Sequence, residues 1–255
     1  MLRALVLWLS CVFAGVLCMS CGSSGSGGGA GPFNVVGDWQ VHFTADVGAT
    51  TTGYGAIDSA GLAAFIDTSG NIVKFPAITG ANSFSGTVTA YAVNGTSFPG
   101  GNVTVTDTAQ GDVNSATSIT GTLTGTPSGS FSITPLNSSV VAISGAMQGK
   151  VIGFSDTLSL TFSSNGSFSG GDFPNPVTAC SVNGTLNQQG TANVFDVTYN
   201  LGPTCTSDTQ TGIAFQSKTD YFNVNGGADA SYLYVILLTT TLPGQVHPYV
   251  VVIYQ

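Results

Sequence analysis

The chain has 255 residues, of which only 6% are charged, against about 25% in an ordinary soluble domain. Four basic residues and twelve acidic ones, all aspartate, give a formal charge of −8. A helical bundle would lack its Glu, Lys and Arg faces in such a composition, and the sign of the charge excludes a basic nucleic-acid binder, so no nucleic-acid partner is expected.

The chain opens with Met1-Leu2-Arg3, a short segment with one positive charge. Ala4 to Leu17 is apolar apart from Ser10 and Gly15. At about 14 residues it suits the hydrophobic core of a signal peptide and is short for a bilayer-spanning helix. Leu17-Cys18-Met19-Ser20-Cys21-Gly22 follows, with small Ser20 directly before Cys21. This stretch resembles the lipobox of bacterial lipoproteins, although Cys18 stands where that family prefers leucine. The resemblance implies cleavage before Cys21 and acylation of its thiol, with fatty chains such as palmitate. Two or three such chains anchor stably where one is marginal. The alternative is an ordinary signal peptide with a soluble secreted product. Gly22 stands where lipoproteins held at the inner membrane often carry aspartate, so the resemblance points to the outer membrane of a Gram-negative cell. Cys18-x-x-Cys21 spells a redox motif, but Cys18 would leave with the leader and no βαβ context surrounds it.

From Cys21 the chain runs Gly-Ser-Ser-Gly-Ser-Gly-Gly-Gly-Ala-Gly to Pro32, a composition that forms a flexible tether and no core. The expected organisation is therefore a signal peptide over 1–20, a lipidated cysteine with a Gly/Ser tether over 21–31, and a folded body over 32–255.

Within the body, short β-prone runs alternate with turn signals, and no amphipathic helix is legible. Strands are expected at Trp39–Phe43, Phe84–Val93, Asn102–Thr106, Ser118–Thr124, Ser130–Pro135, Val140–Ser144, Lys150–Phe154 and Thr157–Phe162. They continue at Ala179–Thr185, Ala192–Asn200, Thr211–Ser217, Asp220–Val224, Tyr232–Thr241 and Pro248–Tyr254. Asp58-Ser-Ala-Gly61 and Asp67-Thr-Ser-Gly70 read as turns in which aspartate accepts from the backbone and glycine supplies positive φ. Asn94-Gly95, Asn165-Gly166, Asn183-Gly184 and Asn225-Gly226 are tight-hairpin pairs. Turns this short mean antiparallel pairing. The expected fold is all-β, a barrel or sandwich-like body of about 14–16 short strands with two lobes. Ser-Phe-Ser recurs at 83–85, 130–132 and 167–169 as an echo of two halves, 32–136 and 137–255. Tyr232–Leu238 and Tyr249–Ile253 are near-continuous apolar runs, expected as central strands buried on both faces.

Cys11 and Cys18 would leave with the leader and Cys21 would take lipid, so Cys180 and Cys205 remain as the thiols of the body. In an oxidising compartment they are expected to pair as a disulfide, the alternative being two free thiols. Cys180-x₃-Gly184, Asn193-Val-Phe-Asp-Val197, Gly202-x₂-Cys205 and Thr211-Gly-Ile-Ala214 resemble uncharacterised exported β-rich lipoproteins of Gram-negative bacteria. That likeness spans about a third of the chain and implies fold and location, with no catalytic motif.

Chemical motifs are sparse. Without glutamate there is no His-Glu-x-x-His site and no complete EF-hand, and neither Gly-x-Ser-x-Gly nor Ser-x-x-Lys occurs. No catalytic residue, metal ligand or cofactor is assigned. His42 should face outward between inward Val41 and Phe43, and His247 precedes Pro248 in a loop. Asp58, Asp67, Asp107 and Asp112 fall in turn-like sequence, and Asp172 is the least obviously structural. The expected function is a lipid-anchored envelope module that binds or interacts. Its candidate partners are the membrane through its lipid, a small apolar ligand, a glycan or an envelope protein. The alternative is a hydrolase built on Asp and His.

Overall fold

Period-two alternation of apolar and polar side chains builds the strands of this body that keep one face in water. A computed structural model describes residues 33–93, 95–98, 100–125, 128–153, 157–173, 181–202, 209–226, 231–238 and 248–255. The described secondary structure is sixteen strands, with no helix among the described residues. The first eight are β1 (Gly37–Ala45), β2 (Thr50–Ile57), β3 (Ala63–Asp67), β4 (Ile72–Lys74), β5 (Ser83–Tyr91), β6 (Thr104–Ser115), β7 (Ser118–Leu123) and β8 (Gly129–Pro135). The second eight are β9 (Gly145–Val151), β10 (Thr157–Phe162), β11 (Ser167–Phe173), β12 (Ser181–Gln188), β13 (Phe195–Leu201), β14 (Thr209–Ser217), β15 (Tyr232–Leu237) and β16 (Tyr249–Tyr254). Each set pairs antiparallel with its sequence neighbours. β1–β8 pairing closes the first barrel and β16–β9 pairing closes the second.

Both barrels are filled. Trp39, Val41, Phe65, Phe75, Val88, Ile119, Phe131 and Ile133 occupy the first interior. Leu158, Leu160, Phe168, Val182, Val197, Leu233, Val235 and Val251 occupy the second. Eight strands enclose a space that side chains can fill, and each fully buried Val, Leu, Ile or Phe stabilises by roughly 1.5–3 kcal/mol.

The three Ser-Phe-Ser runs share one device. Phe84 pairs with Gly111, Phe131 with Gly121 and Phe168 with Gly184. In each case the ring covers the opposite glycine so closely that a Cβ there would collide with it. The aromatic covers backbone that the glycine leaves bare, and the glycine leaves room for the ring inside a narrow barrel.

A third core joins the barrels. Ala56, Ala64, Ile66 and Ile72 face outward from β2–β4, and Ile213, Phe215, Tyr232, Tyr234, Ile236, Val250 and Val252 face outward from β14–β16. This is why β15 is buried along its whole length. Elsewhere the outer faces are polar. Cross-strand rows such as Asp112, Thr120, Ser132, His42 and Thr52 line one, and Thr161, Ser169, Asn183, Asn200 and Thr209 line the other. A membrane-spanning barrel has the opposite arrangement, with an apolar band outside.

Two expected strands are not strands, and a third, Lys150–Phe154, is met only at Lys150–Val151, the end of β9, because Ile152 and Gly153 form a turn with Gly153 at φ +83°. Val140–Ser144 lies in the extended connection between β8 and β9, outside either ladder. Its Val141 is held by a side chain: Val141 N donates to Gln216 Oε1 (2.7 Å) and Gln216 Nε2 donates to Val141 O (2.8 Å). Asp220–Val224 is a turn, because Asp220 accepts from Phe222 N and Asn225 N and Tyr234 OH accepts from Tyr221 N. Conversely β2, β3, β4 and β11 were not expected as strands.

Candidate functional site

Cys21, Cys180, Cys205 and His247 lie outside the described residues. The backbone nearest the two body cysteines is described. Gly202 N donates to Ser181 O at 2.7 Å, so the residue after Cys180 is hydrogen-bonded to the residue three before Cys205.

His42 is exposed on the outer face of β1. Thr52 Oγ1 lies 3.1 Å from its Nδ1. It borders a shallow groove of about 440 Å³ with Thr44, Thr120, Thr122, Ser130 and Ser132, a lining of hydroxyl groups without a carboxylate. Asp67 Oδ1 accepts from Ser69 N (2.8 Å) and Asn71 N (2.9 Å), and Asp58 Oδ1 from Ala60 N (2.8 Å) and Leu62 N (2.7 Å). Gly70 and Gly61 close these turns at φ +89° and +84°. These aspartates do the backbone work expected of Asp-x-x-Gly turns. Burial pushes the Asp58 carboxyl above its usual value, the turn N–H bonds oppose that rise, and the Asp196 charge adds to it. Asp107 accepts from Thr108 N, Asp112 faces outward opposite Ser83 and Thr120, and Asp172 belongs to β11. Among the described residues no three His, Cys, Asp or Glu side chains gather as a metal-holding group.

The better-built feature lies where the barrels and their connection meet. A groove of about 560 Å³ is lined from four chain segments: 34–39, 116–117, 135–140 and 191–193. Asp38 is its one charged side chain and is only 6% exposed. Leu136 N donates to Asp38 O, and Ser138 N donates to Asp38 Oδ2 at 3.0 Å. Asp38 Oδ1 accepts no hydrogen bond from the described residues. The wall is held by Asn193, whose Nδ2 donates to Gln216 O (2.8 Å) and whose Oδ1 accepts from Gln216 N (3.1 Å). Asn137 adopts φ +53°, the left-handed region that asparagine tolerates better than most residues. Across the junction, Ser59 N donates to Gln189 Oε1 (2.6 Å) and Gln189 Nε2 to Asp196 Oδ1 (2.5 Å). Tyr54 and Tyr221 stack with centroids 3.7 Å apart.

Sequence reasoning did not single out Asp38. The only local signal was a lone aspartate beside Trp39 at the start of a strand, on the same outward face as Gln40 and His42. Comparison of the chain with family models, with curated proteins and with solved structures gave no match.

Proposed function

We propose that this chain is an exported lipoprotein, held by acylated Cys21 on the outer membrane of a Gram-negative cell, whose two-barrel body is a binding or interaction module of the envelope. The observation that carries this reading is the run from Ala4 to Gly31: an apolar segment, Ser20-Cys21-Gly22, then a Gly/Ser tether leading into the body. The outer faces of the barrels support it. They present Ser, Thr and Asn, which suits a body standing in water while lipid makes the membrane contact. With both interiors filled, the grooves on the surface become the favoured binding places over an internal lumen for an apolar ligand.

Export also favours a Cys180–Cys205 disulfide. Ser181 and Gly202 hold the two segments side by side, and the three further residues to Cys205 span at most about 10 Å. Such a bridge would stabilise by on the order of 3 kcal/mol, and reduction should add the mass of two hydrogens. No mass change on reduction would mean free thiols.

Cys21→Ser tests the anchor. Wild type should sediment with membranes and partition into detergent, and the variant should be released or remain unprocessed. A variant that fractionates and migrates like wild type would end the lipoprotein reading.

A further inference from the structure

We infer that the junction groove beside Asp38 is a binding site for a neutral saccharide. This deepens the binding-module reading and rests on it. It does not depend on the anchor, because the site belongs wholly to the folded body.

The chemistry of the lining selects the ligand class. Asp38 is 6% exposed and uses Oδ2 on Ser138 N, leaving Oδ1 without a partner among the described residues. A carboxylate oxygen in that position is a strong acceptor for a ligand hydroxyl, because charge-assisted hydrogen bonds are about twice as strong as neutral ones. Around it stand Asn34, Asn137, Ser139, Thr117 and Thr191, amide and hydroxyl groups that both donate and accept. The Oδ1 of Asn34 accepts from Val36 N at 3.2 Å, so its amide hydrogens remain for a ligand. Vicinal hydroxyls of a sugar ring present the same mixed donor and acceptor pattern. Pro135, Val36, Val140 and Ala192 supply small apolar patches for the C–H faces of such rings.

Other ligand classes fit less well. An anion would meet Asp38 with no Lys, Arg or His in the lining, on a chain of formal charge −8. A divalent cation prefers six or more oxygen ligands, commonly with several carboxylates, and the lining supplies a single carboxylate. A wholly apolar ligand would strand the amides and hydroxyls without partners. The volume, about 560 Å³, falls within the roughly 300–1,000 Å³ of small-ligand sites. Such sites favour domain junctions, and this groove draws its walls from both barrels and from the connection between them.

The test is isothermal titration of the full-length protein in detergent with neutral trisaccharides: maltotriose, laminaritriose, xylotriose, mannotriose and chitotriose. A trigalacturonate serves as the charged comparison. At least one neutral sugar should bind saturably with Kd below about 1 mM, and trigalacturonate at least about tenfold more weakly. Asp38→Asn keeps an acceptor for Ser138 N but removes the charge, and should weaken binding by roughly tenfold. Asn137→Gly suits the left-handed backbone there and removes the amide, so it should weaken binding by roughly threefold without lowering Tm. Thr191→Val is a third arm should Asp38→Asn fail to fold. No binding by any neutral sugar, equal binding of trigalacturonate, or wild-type affinity in the Asn137→Gly and Thr191→Val variants would overturn the site. Retention of the protein on membranes in the same preparation would leave the anchor reading standing.

Discussion

The two barrels meet through unlike faces. The first offers a fully buried floor of small and medium side chains, Ala56, Ala64, Ile66 and Ile72, on strands of eight, five and three residues, beside which partly buried Tyr54 stacks on Tyr221. The second sets large side chains onto it, Phe215, Tyr232, Tyr234 and Ile236, on strands of nine and six residues. A shared core needs complementary volume rather than equal contributions, so one partner can be built of alanine if the other brings aromatics.

That asymmetry can be broken from either side, and the costs should differ. Tyr234 is fully buried. Its hydroxyl donates to Thr219 O (2.8 Å) and accepts from Tyr221 N (2.9 Å). Tyr234→Ala should lose about 3–5 kcal/mol in denaturant unfolding, because it leaves a cavity and two unpaired backbone groups. Ala64→Leu, on the small-residue side, should lose about 1–3 kcal/mol through overpacking. Equal losses would mean that the floor relaxes and that the volume match is not tight.

The smallest expected effect sharpens the comparison at its polar edge, where Asp58 of the first barrel faces the charge of Asp196 of the second. The folded carboxyl of Asp58 is raised above its ordinary value of 3.8, chiefly by burial. Its protonated form is therefore favoured by folding. The associated stability is fully present below 3.8 and is lost as pH rises through the folded value. Asp58→Asn keeps an oxygen for Ala60 N and Leu62 N and carries no charge. At pH 7 the variant should match or exceed wild type by under about 1 kcal/mol. That advantage should shrink as pH is lowered toward 4 in thermal melts. An advantage that grows in acid would contradict the raised carboxyl.

The same contrast explains what the sequence reveals. Tyr232–Leu237 and Tyr249–Tyr254 are visible as buried strands because bulky β-branched and aromatic residues fill both faces. β2 and β3, equally part of the junction, hide in Thr50-Thr-Thr-Gly-Tyr-Gly-Ala-Ile57 and Ala63-Ala-Phe-Ile-Asp67, where glycine and alanine read as turn or as nothing. β11 is hidden by Gly170-Gly171 in the same way. Val140–Ser144 has strand composition but no free ladder to join, since both barrels close without it. The Asp-x-x-Gly turns are legible because their chemistry is local. The Asp38 groove is not, because its lining comes from four segments up to about 150 residues apart in sequence.

The Gln216–Val141 contact has a further consequence. Ring closure removes the flanks on which β-rich chains template one another into fibres, and the stretch between the rings is the obvious weak point. By occupying both polar groups of Val141, an intramolecular amide denies that residue's backbone to a neighbouring molecule. Copies at high concentration then meet without pairing through that residue.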